Sequence, residues 1–320
     1  MRTGIIYAVI TFVIWGFFPV YWKQLDTVNA LQLATHRIIW SFFTLLLFIL
    51  ATKQWKDFKQ AAFTRWNFVI YTASAVLIFS NWLLFIYAVS SGHVLEASLG
   101  FFIYPLFNVL LGVVFLKERL RLGQWLSLGF ATGGVLVVAI AYGNFPWIAV
   151  LLALTLGLYG LVKKKAPLNS LYGLTLETAI LFIPSLTFLL IVHAKGNGAF
   201  LHVDTVQNVL MVLAGIVTII PLLCFSSAAQ RIPLSLIGIL QYICPSIQFL
   251  VGVFMYHEPF STSKLIGFIL VWIALVVFTF ESIWWHRSVK SLDQDEVSID
   301  IVEAVSTPQA TSFVNMNERV

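Results

Sequence analysis

Two ionisable side chains lie deep inside apolar stretches: Arg37 in the run that begins at Leu31, and Glu177 in the run that begins at Leu171. A charge in such a run is costly in hydrocarbon and normally faces a protein interior or a water-filled space, so these two are the first candidates for chemistry. The fork of Arg37 suits a carboxylate or phosphate. Glu177, as a carboxyl in apolar surroundings, can exchange a proton near neutral pH. A third reading stays open beside these: each pins neighbouring helices through buried hydrogen bonds. At about 1.5 Å per residue, each sits roughly 10 Å from its own end of a run, so they meet only if both side chains reach for the middle. His36 points about 100° away from Arg37 around a helix and reads as a packing residue.

A second group is aromatic and amide: Trp15, Trp40, Asn81, Trp82, Tyr104, Asn108, Tyr159, Gln241 and Tyr242. A cavity for a small organic molecule is mostly apolar and aromatic, with a few orienting polar groups, and these residues can supply one. Plain helix packing is the competing role for each aromatic. Asn81 and Gln241 are the stronger candidates, because a buried amide must find a partner. Glu96 falls where a helix begins, and a carboxylate there favours capping. Glu118 and Glu258 fall where helices end and read as loop locks or parts of a gate. Pro105 and Pro245 read as hinges, since proline frees a backbone carbonyl. Gly112 and Gly252 read as points of close helix contact. No His, Cys, Asp or Glu set has metal-ligand spacing, and Cys224 and Cys244 read as buried thiols. Neither a Gly-x-Ser-x-Gly elbow nor a Walker-type loop is present. Catalysis, a bound cofactor and ATP as an energy source are therefore not expected.

The elements that must position these residues follow from composition. Of 320 residues, 60% are hydrophobic and 10% charged, against roughly 25% charged in a soluble domain. A membrane span needs about 20 mostly apolar residues. Spans are expected at 4–23, 31–51, 68–90, 95–116, 123–141, 146–162, 170–192, 207–229, 233–255 and 264–285, and runs of this length are helices rather than barrel strands. The run after Gly4 is too long for a signal peptide and lacks a cleavage site. Of the nineteen Lys and Arg, fifteen fall on one side if the N-terminus is cytoplasmic, among them Lys163, Lys164 and Lys165. Both termini are therefore expected in the cytoplasm. The basic balance belongs to these loops and implies no nucleic acid. The fifth and tenth spans carry few polar residues and are expected to face lipid or a second copy in a homodimer. Residues 286–320, rich in Asp, Glu and Ser, read as a disordered tail.

Sliding the second half over the first by 140 positions aligns Leu31, Thr35, Phe42, Leu46, Phe48 and Leu50 with Leu171, Thr175, Phe182, Leu186, Phe188 and Leu190. The same register aligns Pro105, Gly112 and Glu118 with Pro245, Gly252 and Glu258, and Arg37 with Glu177. The chain thus reads as two five-helix repeats, 4–141 and 146–285. With an odd number of spans each, the second must insert upside down, and inverted repeats of this kind place a solute site between the halves.

The motifs His36-Arg37-Ile38-Ile39-Trp40-Ser41, Asn81-Trp82-Leu83-Leu84-Phe85 and Glu96-Ala97-Ser98-Leu99-Gly100 resemble those of the drug/metabolite transporter superfamily. So do Pro105, Asn108, Glu118-Arg119, Gln124-Trp125, Tyr159-Gly160-Leu161-Val162, Pro221-Leu222-Leu223-Cys224-Phe225 and Gln241-Tyr242 with Pro245. Within the superfamily the chain is similar to EamA-type transporters, and to the RarD family among them, over residues 4–286. Lys117 departs from the pattern, where a glycine commonly precedes the glutamate. The resemblance implies an all-α protein of ten transmembrane helices in a bacterial inner membrane. It also implies a secondary permease that moves a small organic solute by alternating access, with efflux the first expectation and a proton or other ion as the coupling partner. A membrane-embedded enzyme and a passive channel or scaffold remain the alternatives. RarD relatives are often labelled chloramphenicol-related permeases.

Overall fold

The computed structural model describes residues 1–91, 93–257, 261–263 and 265–281, without the side chains of residues 89–90 and 94–98. The expected tail, Glu258, and the side chain of Glu96 therefore lie outside the described residues. The described chain is helical: α1 (Arg2–Trp22), a 3₁₀ turn (Lys23–Leu25), α2 (Ala30–Ala51), α3 (Trp55–Ala62), α4 (Arg65–Ser90), α5 (Val94–Leu116) and α6 (Leu122–Tyr142). It continues with α7 (Trp147–Lys165), α8 (Ser170–Ala194), α9 (Thr205–Arg231), α10 (Leu234–Leu240), α11 (Ile243–Leu250), a π-helical turn (Val251–Met255) and α12 (Leu265–Glu281). Among the described residues, nine helical stretches are long and apolar enough to cross a membrane, and α12 is a shorter apolar helix at the tenth expected position. Leu47, Ile140, Ile183 and Phe280 are exposed large apolar side chains that such helices turn toward lipid.

Helix starts are set by short polar side chains, which accept from the otherwise unpaired first N–H groups. Asn29 Oδ1 accepts from Leu31 N at 3.0 Å, Asn169 Oδ1 from Tyr172 N at 2.8 Å, and Asp204 Oδ1 from Gln207 N at 2.8 Å. Asn29 and Asn169 are themselves 140 positions apart, so the two helices α2 and α8 begin on matched caps. Helix α5 ends with Lys117 in the left-handed conformation, φ 54°. That position favours glycine, the residue that the family resemblance leads one to expect before the glutamate.

Three features add detail to the expected spans. The ninth span is found at Leu234–Met255, interrupted by a two-residue turn at Gln241–Tyr242 between α10 and α11. Pro245 has no N–H to give to the Gln241 carbonyl four residues earlier, and its ring would clash there. The carbonyl instead accepts from Cys244 N at 2.9 Å. Second, the segment 52–64 contains the short helix α3, whose Phe58 and Ala62 are buried against α8 while Lys56 and Lys59 are exposed. Third, the fifth and tenth helices pack on one another. A Cβ on Gly134 would lie 2.7 Å from the Gly267 carbonyl, and Arg121 grips Glu281 at 2.7 and 2.9 Å.

The bundle core is built from α1, α4, α5, α7, α9 and α10, with Phe12, Tyr159, Phe225 and Ile237 fully enclosed. Backbones approach closely where side chains vanish. A Cβ on Gly215 in α9 would meet the Trp40 carbonyl carbon of α2 at 2.5 Å, and Ser41 Oγ donates to the Gly215 carbonyl across the same crossing. Such small-residue contacts are how helices associate in lipid, where burial of apolar surface gives no drive.

Candidate functional site

A cavity of about 400 Å³ lies among these helices, at the end of the bundle where α1 finishes and α2 begins. Helix α1 contributes Trp15, Phe18, Pro19 and Trp22 from its later turns, and α4 contributes Asn81, Trp82 and Phe85. The α10–α11 break brings in Gln241, Cys244 and Gln248, while α2 and α9 supply Arg37 and Thr218. The volume lies within the usual range for small-molecule sites, and the lining is aromatic with a few amides, as such sites require.

Arg37 sits at the centre of the polar part. Its Nε donates to Thr218 Oγ1 at 3.1 Å, and its guanidinium carbon lies 4.8 Å from the Trp22 ring and 4.5 Å from the Trp82 ring. The plane is thus held between two indoles, an arrangement worth about 0.5–2 kcal/mol per ring. The Gly215 crossing sets this geometry, because Thr218 follows Gly215 and Arg37 precedes Trp40 by a single turn of each helix.

The amides divide by role. Asn81 Nδ2 donates to the Leu152 carbonyl at 2.8 Å and to Thr155 Oγ1 at 3.0 Å, so it clamps α4 to α7 with its side chain at the cavity wall. Asn108 Nδ2 donates to Gln241 Oε1 at 3.3 Å, tying α5 to the break. Tyr242 Oη donates to the Phe102 carbonyl at 3.2 Å away from the cavity, and Tyr104 is buried in α5. Neither tyrosine lines this cavity. Gln248 is the residue that sequence reasoning missed here. It lies 140 positions after Asn108, so the repeat register itself marks it, and its Nε2 donates to the Trp15 carbonyl at 3.2 Å.

Glu177 does not meet Arg37. It pairs with Lys163 Nζ at 2.6 Å, and both side chains are shut off from solvent at 2% and 1% exposure. Tyr159 Oη donates to the other carboxylate oxygen at 3.4 Å, and the ammonium lies 5.4 and 5.5 Å from the Tyr71 and Tyr159 rings. Lys163 was expected in a loop; α7 instead runs on to Lys165 and turns Lys163 inward. A void of about 20 Å³, lined by Trp82 and Thr218 at one side and Tyr159 and Glu177 at the other, separates this pair from the cavity.

Glu118 reaches across to the segment that enters α10. Its carboxylate accepts from Leu234 N at 2.7 Å, Ser235 N at 2.9 Å and Ser235 Oγ at 2.6 Å, and so holds the start of α10. Gly112 makes room for it, since a Cβ there would lie 2.6 Å from Glu118 Oε2. Pro105 lies inside an unbroken α5, and its carbonyl would be 2.6 Å from a Cβ on Gly238 of α10. Pro245 sits just past the break. The matched prolines therefore act differently in the two halves. Among the described residues no cluster of His, Cys, Asp and Glu could hold a metal.

Comparison with known proteins places this arrangement in context. Residues 2–140 match the pattern of the EamA-like transporter family. The chain is 43% identical over 299 residues to the "uncharacterized transporter YojE" of Bacillus subtilis (strain 168), covering 91% of this chain and 98% of that protein. It is 40% identical over 286 residues to "protein RarD" of Escherichia coli (strain K12), covering 89% and 97%. At 28% identity it also matches a protein of Pseudomonas aeruginosa named "chloramphenicol-sensitive protein RarD". One crystal structure superposes with a TM-score of 0.65 over 87% of this chain and 97% of that one, at 17% identity, a likeness of fold alone.

Proposed function

This chain belongs to the RarD group of EamA-type membrane transporters, and we propose that it carries a small organic solute through the cavity around Arg37 by alternating access, outward from the cell. The observation that carries this reading is a largely aromatic cavity of about 400 Å³ lined by helices from both proposed halves, with Arg37 on its wall. Lys163, Glu177, Tyr159, Phe12 and Phe225 are enclosed in the packed part of the bundle, and we read them as the closed side of the carrier.

The two halves are proposed as inverted repeats, 4–141 and 146–285. The helix contacts support this, since they occur in matched sets: α1 on α9 with α7 on α4, α2 on α9 with α8 on α4, and α1 on α11 with α7 on α5. Phe42 and Phe182, register mates, meet each other at a ring separation of 4.7 Å, as residues on a two-fold axis must. Two exchangeable packings of such halves open one site to either side. With both termini in the cytoplasm, the cavity described here lies in the outer half of the membrane. Exchange of the roles of the two ends would then require the Lys163–Glu177 pair to part, which makes Glu177 the candidate for a coupling proton.

Reconstitution of the purified chain into vesicles tests the reading. Saturable uptake that is accelerated by unlabelled solute trapped inside, without ATP, is expected of a carrier. Flux that rises without limit with concentration would mark a channel, and chemical conversion of the solute an enzyme; either result ends the carrier reading.

A further inference from the structure

Arg37 is the exception among the interior charges. Lys163 is paired with Glu177, and Arg121 with Glu281. Among the described residues no carboxylate lies within ion-pairing distance of Arg37, and Nε to Thr218 Oγ1 is the one hydrogen bond of its guanidinium. Arg37 is half-buried on the cavity wall, and a partly desolvated cation without an anion favours a ligand that brings one, beyond what two indole faces return. Its remaining N–H groups form a planar fork, a shape that matches a carboxylate in a bidentate pair. Trp15, Phe18, Phe85 and Phe101 add rings to the indole pair on the cavity wall, beside the aliphatic Ile78, Leu156 and Leu222. No carboxylate stands on that wall among the described residues, so an ammonium on the ligand gains no ion pair there.

We infer that the ligand class of this cavity is an organic monocarboxylate with a flat, aromatic body, its carboxylate seated on Arg37. The ligand supplies the missing counter-charge, and the rings accept its apolar part. A zwitterion carries the same carboxylate but must leave its ammonium against amide oxygens, and it binds less well. This inference rests on the cavity being the solute site.

An isosteric series tests it on the purified full-length chain, with indole fluorescence as the readout because Trp22 and Trp82 flank the guanidinium. Phenylacetate, phenylacetamide, phenethylamine and phenylalanine share one ring and differ in charge. Phenylacetate is expected to bind about tenfold or more tighter than phenylacetamide, the span typical of a hydrogen-bonded charge. Phenethylamine is expected to bind least. Arg37→Gln should remove the preference for the acid, bringing the affinities of phenylacetate and phenylacetamide together. Arg37→Lys should keep part of the preference, having charge without the fork. If Arg37→Gln fails to fold, the wild-type series and the Lys variant still decide. Equal affinity for acid and amide, no binding of phenylacetate, or a preference that survives Arg37→Gln overturns the ligand class. Vesicle flux separates this from the carrier reading. Acid-selective binding without counterflow refutes transport and leaves the ligand class standing; saturable counterflow that is indifferent to solute charge does the reverse.

Discussion

At the scale of single residues, the pair Lys163–Glu177 carries the largest stake. Both members are enclosed, and removing one partner leaves a buried charge alone, at a cost of about 3–5 kcal/mol. Replacing both by apolar residues of similar volume is often neutral. Glu177→Gln and Lys163→Met are each expected to lower the thermal unfolding temperature of the purified protein, while Lys163→Met/Glu177→Leu recovers most of the loss. Strictly additive losses in the double variant would show that the two do not act together. For the same reason, a flux defect in Glu177→Gln alone does not identify a proton carrier; the double variant, stable yet without a titratable pair, is the informative one. Glu177 was legible in the sequence because a lone carboxylate stands out in an apolar run. Lys163 was not, because three consecutive lysines at the end of a run count as loop charge. The deciding signal was helix phase: Lys163 follows Tyr159 by four residues and so shares its face. Arg37 was legible as a depth, but its partners Trp22 and Thr218 are set by tertiary packing, which no local pattern encodes.

At the scale of elements, the break between α10 and α11 is what places Gln241 against Asn108 and in the cavity wall. Pro245 has no N–H for the Gln241 carbonyl, so Pro245→Ala restores one able to bond it. Thermal stability is expected to hold or rise by about 1–3 kcal/mol, the scale of a proline removed from a helix interior. Counterflow in vesicles should fall as Gln241 is drawn into a continuous helix. Unchanged counterflow would mean that the break has no part in the site. Span positions were largely readable, with 31–51 expected and Ala30–Ala51 found, 170–192 expected and Ser170–Ala194 found. Apolar length fixes those. The break was hidden because hydropathy sums side chains and does not register a missing backbone hydrogen bond. Helix α3 was hidden for the opposite reason: eight residues with two lysines look like loop, and only Phe58 and Ala62 on one face betray it.

At the scale of the molecule, the proposed inverted halves would send the ends of α2 and α8 to opposite membrane faces. Lys53 follows the first and Lys195 the second, so Lys53→Cys and Lys195→Cys, each in a background without Cys224 and Cys244, should react with an impermeant maleimide from opposite sides. With a cytoplasmic N-terminus, Lys195→Cys labels in intact cells and Lys53→Cys only after lysis. Labelling of both from one side would end the repeat reading. The contact between Phe42 and Phe182 has a consequence of its own. In an assembly of two identical half-length chains, that position would touch its own copy, and any change there would strike both sides at once. Joining the halves into one chain lifts that constraint, leaving each copy free to drift. On the proposed repeat, Arg37 and Glu177, 140 positions apart, are the kind of divergence that such freedom allows.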